Sequence, residues 1–135
     1  MNPFAFKILL ATPLIIYTVV IGVLFYLQKH LIFHPVKLPS DHKYVFKDNN
    51  FSEGFFSTTS NQKLNYLHFK SEDPQNIIIY YRGNALALDQ WGYLAERMVK
   101  ATKSDVWIFD YPGFGKNHGD VAGSSSELLL SLIHI

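Results

Sequence analysis

The chain has 135 residues and a formal net charge of +1, the size of about one small domain. With no run of Lys or Arg, that charge excludes a nucleic-acid surface, and zero cysteines exclude disulfides, thiolate metal sites and a cysteine nucleophile. The hydrophobic share of 48% promises a well-supplied core, but much of it sits in one segment.

That segment is Ile8 to Leu27, ILLATPLIIYTVVIGVLFYL. It carries no charge, and at 1.5 Å per residue it is long enough to cross about 30 Å of hydrocarbon. A cleaved signal peptide wants a shorter apolar core and a small-x-small cleavage site. Here the run is long and ends in Phe25-Tyr26-Leu27-Gln28-Lys29. The expectation is an uncleaved transmembrane anchor over residues 1–30, with the bilayer as its partner through residues 8–27. No polar stripe marks the run as a buried soluble helix, and Pro13 is tolerated in membrane helices. Lys7 on one side and Lys29 and Lys37 on the other leave the orientation open. Leu31 to Lys37 then reads as an exit segment, because Pro35 and Pro39 oppose further helix, and residues 31–135 form the expected second domain.

From Tyr44 the pattern turns strand-like. Gly54 to Thr58 and Leu64 to Phe69, with a polar turn at Thr59 to Lys63, predict a β-hairpin. After the loop Ser71 to Asn76, the run Ile77-Ile78-Ile79-Tyr80-Tyr81 lacks alternation, as expected of a central parallel strand covered on both faces. Trp91, Leu94, Ala95, Met98 and Val99 fall at i, i+3, i+4, i+7 and i+8, predicting one packing face of a helix, with Glu96 and Lys100 paired at i, i+4. Asp105 to Tyr111 predicts a second buried strand. Ser124 to Glu127 reads as a capping box opening a further helix at Leu128-Leu129-Leu130. Strand, helix, strand, helix with short links implies an α/β sheet with a right-handed crossover.

Two loops follow strand C-termini, where open α/β sheets place ligands. In Arg82-Gly83-Asn84-Ala85, Gly83 allows a tight turn that would leave the amide of Asn84 or Ala85 aimed at a developing oxyanion. A plain strand-to-helix turn reads equally well. The segment Asp110 to Gly119, DYPGFGKNHG, has three glycines around an aromatic residue, Phe114, that is expected to be exposed, but its G-x-G-K lacks the spacing and the Ser/Thr of a phosphate-binding Walker A loop.

Together, the H-G-N-A-like turn, the amphipathic helix and the F-D-Y-x-G-[YF]-G-K-S-x-G-like segment resemble the membrane-anchored α/β-hydrolases of the Bem46 type, similar to α/β-hydrolase domain proteins 13 and 17. The likeness covers about residues 26–135, hairpin and L-I-F-x-P exit included. It implies an α/β-hydrolase fold behind one transmembrane helix, and hydrolysis of an ester, thioester or amide through an acyl-serine. It also implies a small-molecule or lipid-like acyl substrate, and an oxyanion-hole amide at Asn84, with Ala85 as the adjacent candidate. Arg82 stands where that family usually has His, and Asn117 where it usually has Ser.

No G-x-S-x-G occurs in the chain. Ser124, Ser125, Ser126 and Ser131 lack the flanking glycines of a nucleophile elbow, and His118 and His134 have no partnered nucleophile. No catalytic residue, metal ligand or cofactor is therefore expected within it. The last residues, Leu-Leu-Leu-Ser-Leu-Ile-His-Ile, read as a helix without a C-cap, so the chain is expected to be the N-terminal part of a hydrolase, inactive by itself. In the family's sheet the Ile77 strand lies between the Asp105 strand and the one leading to the elbow; without that neighbour it keeps an open edge. The alternative expectation is a non-enzymatic, membrane-tethered module that pairs through that edge.

Overall fold

The computed structural model describes residues 3–58 and 62–119, with side chains from residue 11 onward. The chain divides into two compact units, Met1–Ile32 and Phe33–Ile135.

The first unit is helix α1, Pro3–Ile32. Its segment Ala11–Ile32 has a mean hydropathy of 1.8 and is long and apolar enough to cross a membrane. The side chains of residues 11–27 are exposed, Phe25 at 72% and Tyr26 at 83%. The helix outlasts the apolar run that ends at Leu27. Lys29 and His30 sit in its last turn, where positive charge suits the C-terminal dipole. It stops just before His34, which as the residue preceding Pro35 is pushed out of the helical region.

The second unit is built on a four-stranded sheet in the order β2-β3-β6-β4. Strands β2 (Phe51–Ser57) and β3 (Lys63–Phe69) pair antiparallel from Phe51↔Phe69 to Ser57↔Lys63. The hairpin thus begins at Phe51, ahead of the expected Gly54. Asn50 closes its open end, its carbonyl accepting from Lys70 N–H at 3.0 Å and its side chain donating to Lys70 O at 2.9 Å. Strand β6 (Asp105–Phe109) pairs antiparallel with β3 and parallel with β4 (Ile77–Tyr80). Helix α2 (Leu88–Thr102) connects β4 to β6, giving the βαβ unit expected from the sequence. A second, two-stranded parallel pair joins β1 (His34–Pro35) to β5 (Ala85–Leu86).

Period-2 alternation sorts the sheet into two faces. Leu67, Phe69, Val106 and Ile108 meet Leu88 and Ala95 of α2 together with Tyr44 and Phe46. Phe33, Phe109, Tyr111 and Phe114 form a separate aromatic cluster, with Tyr66 and Trp107 against it; Phe114, expected to be exposed, is fully buried there. Strand β4 departs from its reading as a strand covered on both faces. Its place at the sheet edge is the open edge expected without the neighbouring strand, but one face is uncovered, with Ile77 70% and Ile79 52% exposed, while Ile78 and Tyr80 pack on the core. Among the described residues nothing covers its outer side.

The helix carries two further corrections. Of the expected stripe, Ala95 is buried and Trp91, Met98 and Val99 pack against the core, but Leu94 is 37% exposed, and Leu88, Gly92 and Glu96 are buried as well. Glu96 does not pair with Lys100. Its carboxylate accepts from Asp48 N–H at 2.6 Å, and Lys100 pairs with Asp48 Oδ2, because the segment before β2 passes over the helix.

Gly92 sits where that segment crosses. A Cβ there would overlap the ring of Phe46, which is hemmed in by Phe51, Phe69 and Tyr93 with centroids 5.1–5.3 Å away. Gly92→Ala should therefore destabilise the unit by about 1–3 kcal/mol through overpacking, even though alanine favours a helix by about 1 kcal/mol. Thermal unfolding of the full chain in detergent micelles checks this. The added substitution Phe46→Leu should return part of the loss, since it removes the ring that the methyl meets.

Candidate functional site

The C-terminal ends of the adjacent parallel strands β4 and β6 release two loops side by side, residues 81–86 and 110–119. These are the loops singled out by sequence, and a third segment binds them together. His34 N–H donates to Asn84 O at 3.0 Å within the β1–β5 pair. Further along, Gly115 N–H donates to Val36 O at 2.8 Å and Leu38 N–H to Gly115 O at 2.9 Å. Residues 34–38 therefore strap both loops.

The first loop carries the proposed oxyanion residues. Asn84 is exposed and Ala85 half-buried. Ala85 O accepts from Trp91 Nε1 at 2.8 Å and from Arg82 Nη1 at 3.1 Å, so the carbonyls of both residues are held. A Cβ on Gly83 would lie 3.2 Å from the Trp91 ring, a tight approach that favours glycine. Leu86 has a φ of 69°, a conformation that costs a branched side chain of order 1 kcal/mol or more and that marks the entry to α2.

Beneath the loops lies a polar group that the sequence reading did not assign. Arg82, 3% exposed, places Nη2 at 2.8 Å from Asp110 Oδ1, and both side chains are fully buried. The N–H does not point squarely at that oxygen, so charge more than a linear hydrogen bond holds the pair. Nη1 also donates to Gly83 O at 2.9 Å. The guanidinium lies 4.7 Å from the ring centroid of Tyr111 and 4.5 Å from that of Phe114, two cation–π contacts out of water. Tyr111 returns the tie, its hydroxyl donating to Arg82 O at 2.6 Å. Burial pushes the Asp110 carboxyl up to about 6, against the opposing pull of Arg82 and of Leu88 N–H. Burial likewise lowers Arg82 and raises Tyr111.

A second set of contacts fixes the other loop to β3. Asn117, 2% exposed, donates through Nδ2 to Asp110 O at 2.7 Å and Tyr111 O at 3.0 Å. Its Oδ1 accepts from Asn65 N–H at 2.7 Å. Asn65, also buried, accepts from Tyr44 Oη at 2.8 Å and donates to Glu53 Oε1 at 2.9 Å and Gly54 O at 3.1 Å. Lys116 Nζ reaches the same Glu53 oxygen at 2.6 Å. Burial, the largest cause, raises the Tyr44 hydroxyl, and the Asp110 and Glu53 charges add to it.

Chemically, the described residues of the two loops form a platform held by buried side-chain-to-backbone hydrogen bonds. His118 lies on the exposed end of the second loop. Ser124, Ser125, Ser126, Ser131, His134 and the capping box at Ser124–Glu127 lie outside the described residues. The His68–Asp105 contact, 2.9 Å, sits at the opposite end of β6. There the Asp105 carboxyl is held below its usual range first by Ser71 N–H and then by His68, with no nucleophile on the imidazole among the described contacts. A cleft of about 650 Å³ also lies at that end, lined by Asp48, Lys70 and Lys103 among others, away from both loops. No group of three or more His, Asp or Glu among the described residues is placed to hold a metal.

No family model matches the sequence, and no curated protein matches it. Among solved structures, the chain is similar to the Pyrococcus furiosus esterase PF2001, with a TM-score of 0.52 and 18% identity over 76% of this chain and 39% of the esterase. Another crystal form of that esterase gives a TM-score of 0.50 at 18% identity, covering 76% of this chain and 38% of the esterase. The chain thus spans about two fifths of the esterase's length. At such identity the likeness concerns the fold, and the described residues have an α/β-hydrolase-like fold resembling that of an esterase.

Proposed function

We propose that these residues are the N-terminal part of a membrane-anchored serine hydrolase of the Bem46 type, which cleaves an ester, thioester or amide of a small or lipid-like acyl substrate through an acyl-serine. The observation that carries the reading is the pair of loops at the C-terminal ends of neighbouring parallel strands in the order β2-β3-β6-β4. Open α/β sheets bind ligands there, and the esterase likeness supports the same fold. In this reading α1 is the anchor, Asn84 or Ala85 offers an oxyanion amide, and the nucleophile, acid and histidine are supplied by residues beyond this sequence.

Reading the coding DNA past the codon for Ile135 tests it. A G-x-S-x-G with later Asp and His in one frame, within about 150 codons, supports the proposal. The extended protein should then react with a fluorophosphonate probe and the 135-residue chain should not. Labelling of the short chain would refute its assignment as lacking a nucleophile.

The exposed edge of β4, with Ile77 at 70% exposure, favours one second reading, a tethered module that pairs by strand addition. Absence of the motif in every frame would bring that reading forward.

A further inference from the structure

From the geometry beneath the loops we infer that Arg82, through Asp110, is a positioning residue that couples the two strand-end loops and holds the backbone of residues 83–86 in one conformation. Among the described residues, the side-chain bonds and ring contacts of Arg82 run to these loops. Within its own loop the guanidinium grips Gly83 O and Ala85 O, at 2.9 and 3.1 Å. Across to the other it meets Asp110 at 2.8 Å and two aromatic rings, and Tyr111 closes the circuit on Arg82 O.

The second loop is shaped around this pair. Gly115 has a φ of +52°, and a Cβ on it would overlap the Asp110 carboxylate. Both the close approach and the left-handed backbone call for glycine. The same Gly115 pairs with Val36 and Leu38, so the Asp110 carboxylate, the loop and the strap interlock.

Burying two charges contributes little net stability, because desolvation cancels most of their attraction. A buried pair whose described bonds fall on two adjacent loops and on Leu88 N–H, where the first loop enters α2, therefore acts chiefly on which conformation those loops adopt. The planar fork of arginine makes this possible. Its Nη1 bonds two carbonyls while Nη2 sets its charge against a carboxylate, which a lysine ammonium at the end of a flexible stem does not reproduce.

The test is amide hydrogen exchange of the full chain in detergent micelles, comparing wild type with Arg82→Lys. Exchange of residues 83–86 should rise about tenfold or more by local opening, while amides of Leu67, Ala95 and Ile108 keep their protection. Unchanged loop exchange overturns the inference. So does a rise shared equally by the loop and the core, which would make the pair a general stability element. If Arg82→Lys does not fold, Asp110→Asn decides by the same criterion, because it keeps the side-chain shape and removes the charge. The coupling stands apart from the serine-hydrolase reading, although its use in holding an oxyanion amide in place rests on that reading. Failure of fluorophosphonate labelling would remove the hydrolase reading and leave the exchange result untouched.

Discussion

Asn117→Ala is expected to destabilise the second unit by about 3 kcal/mol, the sum of several groups left without partners in a dry place. The β3–β6 ladder ends at Tyr66↔Phe109, followed by a last rung from Asp110 N–H to Asn65 O at 3.0 Å. The next donor in line is Asn65 N–H, and no strand remains to accept it. Asn117 Oδ1 takes that place, so a side chain extends the sheet by one rung. Its amide nitrogen meanwhile holds the carbonyls of Asp110 and Tyr111 as the chain turns away. Alanine abandons all of these bonds at a position 2% exposed. For a unit of about 100 residues a loss of 1 kcal/mol lowers the midpoint by about 4–8 °C. The full chain in micelles should therefore melt more than 10 °C lower. Asn117→Asp should do no better, since it keeps the acceptor for Asn65 but sets a carboxylate against two carbonyls. A shift of a degree or less for the alanine variant would mean that water or the backbone satisfies these groups without the staple.

The sequence disclosed much of this architecture where one local pattern decides the outcome. The β-branched run Ile77–Tyr81 announced a strand, the 3.6-residue spacing from Trp91 announced α2, and the uncharged run after Lys7 announced a helix long enough to span a bilayer. It was less informative where tertiary neighbours decide. Strand β4 reads as covered on both faces because composition reports what a strand can bury, whereas exposure depends on which neighbour is present. The rest of the stripe packs on the core, but Leu94, which fits it by spacing, is exposed, while Gly92 and Glu96 are buried because Phe46 needs a residue without a side chain and Asp48 N–H needs an acceptor.

The site shows the same division. Its loops were placed by the rule that ligands gather beyond the C-terminal ends of parallel strands, and that placement holds for the described geometry. Arg82 beside Tyr81 looks like an ordinary exposed charge, and Asp110 like the end of a strand. Only the crossover through α2 sets β4 next to β6 and makes them partners. Asn117 lies in a glycine-rich loop by sequence, and its role shows only because β6 ends one rung short of Asn65. Arg82 and Asn117, which depart from the Bem46-like pattern, are both central to the polar network, and a pattern of single positions does not show compensation across a sheet.

Removing Arg82 should have the largest effect of any single substitution considered. Arg82→Leu leaves the Asp110 carboxylate buried and uncompensated, a situation that typically costs about 3–5 kcal/mol. The cost should depend on pH in a definite direction. In the native chain, burial raises the Asp110 carboxyl to about 6 from an ordinary 3.8, Arg82 and Leu88 N–H oppose the rise, and the Asp89 charge adds to it. A carboxyl raised in the folded state contributes stability that is complete below about 3.8 and lost as pH climbs through about 6. That difference corresponds to about 3 kcal/mol. Without Arg82 the opposing pull weakens, so the carboxyl should hold its proton to still higher pH. The penalty of Arg82→Leu should therefore be greatest near pH 8 and shrink toward pH 5, where Asp110 enters the fold neutral. Asp105 acts with the opposite sign, because its carboxyl is lowered and its contribution is lost only in stronger acid. Comparing variants at each pH removes it. The double substitution Arg82→Leu with Asp110→Leu should recover most of the stability and flatten the difference across this range, since no charge is left to desolvate. Chemical unfolding of the full chain in micelles at pH 5, 6.5 and 8 measures all of these terms. A penalty for Arg82→Leu that stays constant across the three pH values would show that Asp110 titrates in the ordinary carboxylate range, and that the pair is held by packing against Tyr111 and Phe114 instead of by its charges.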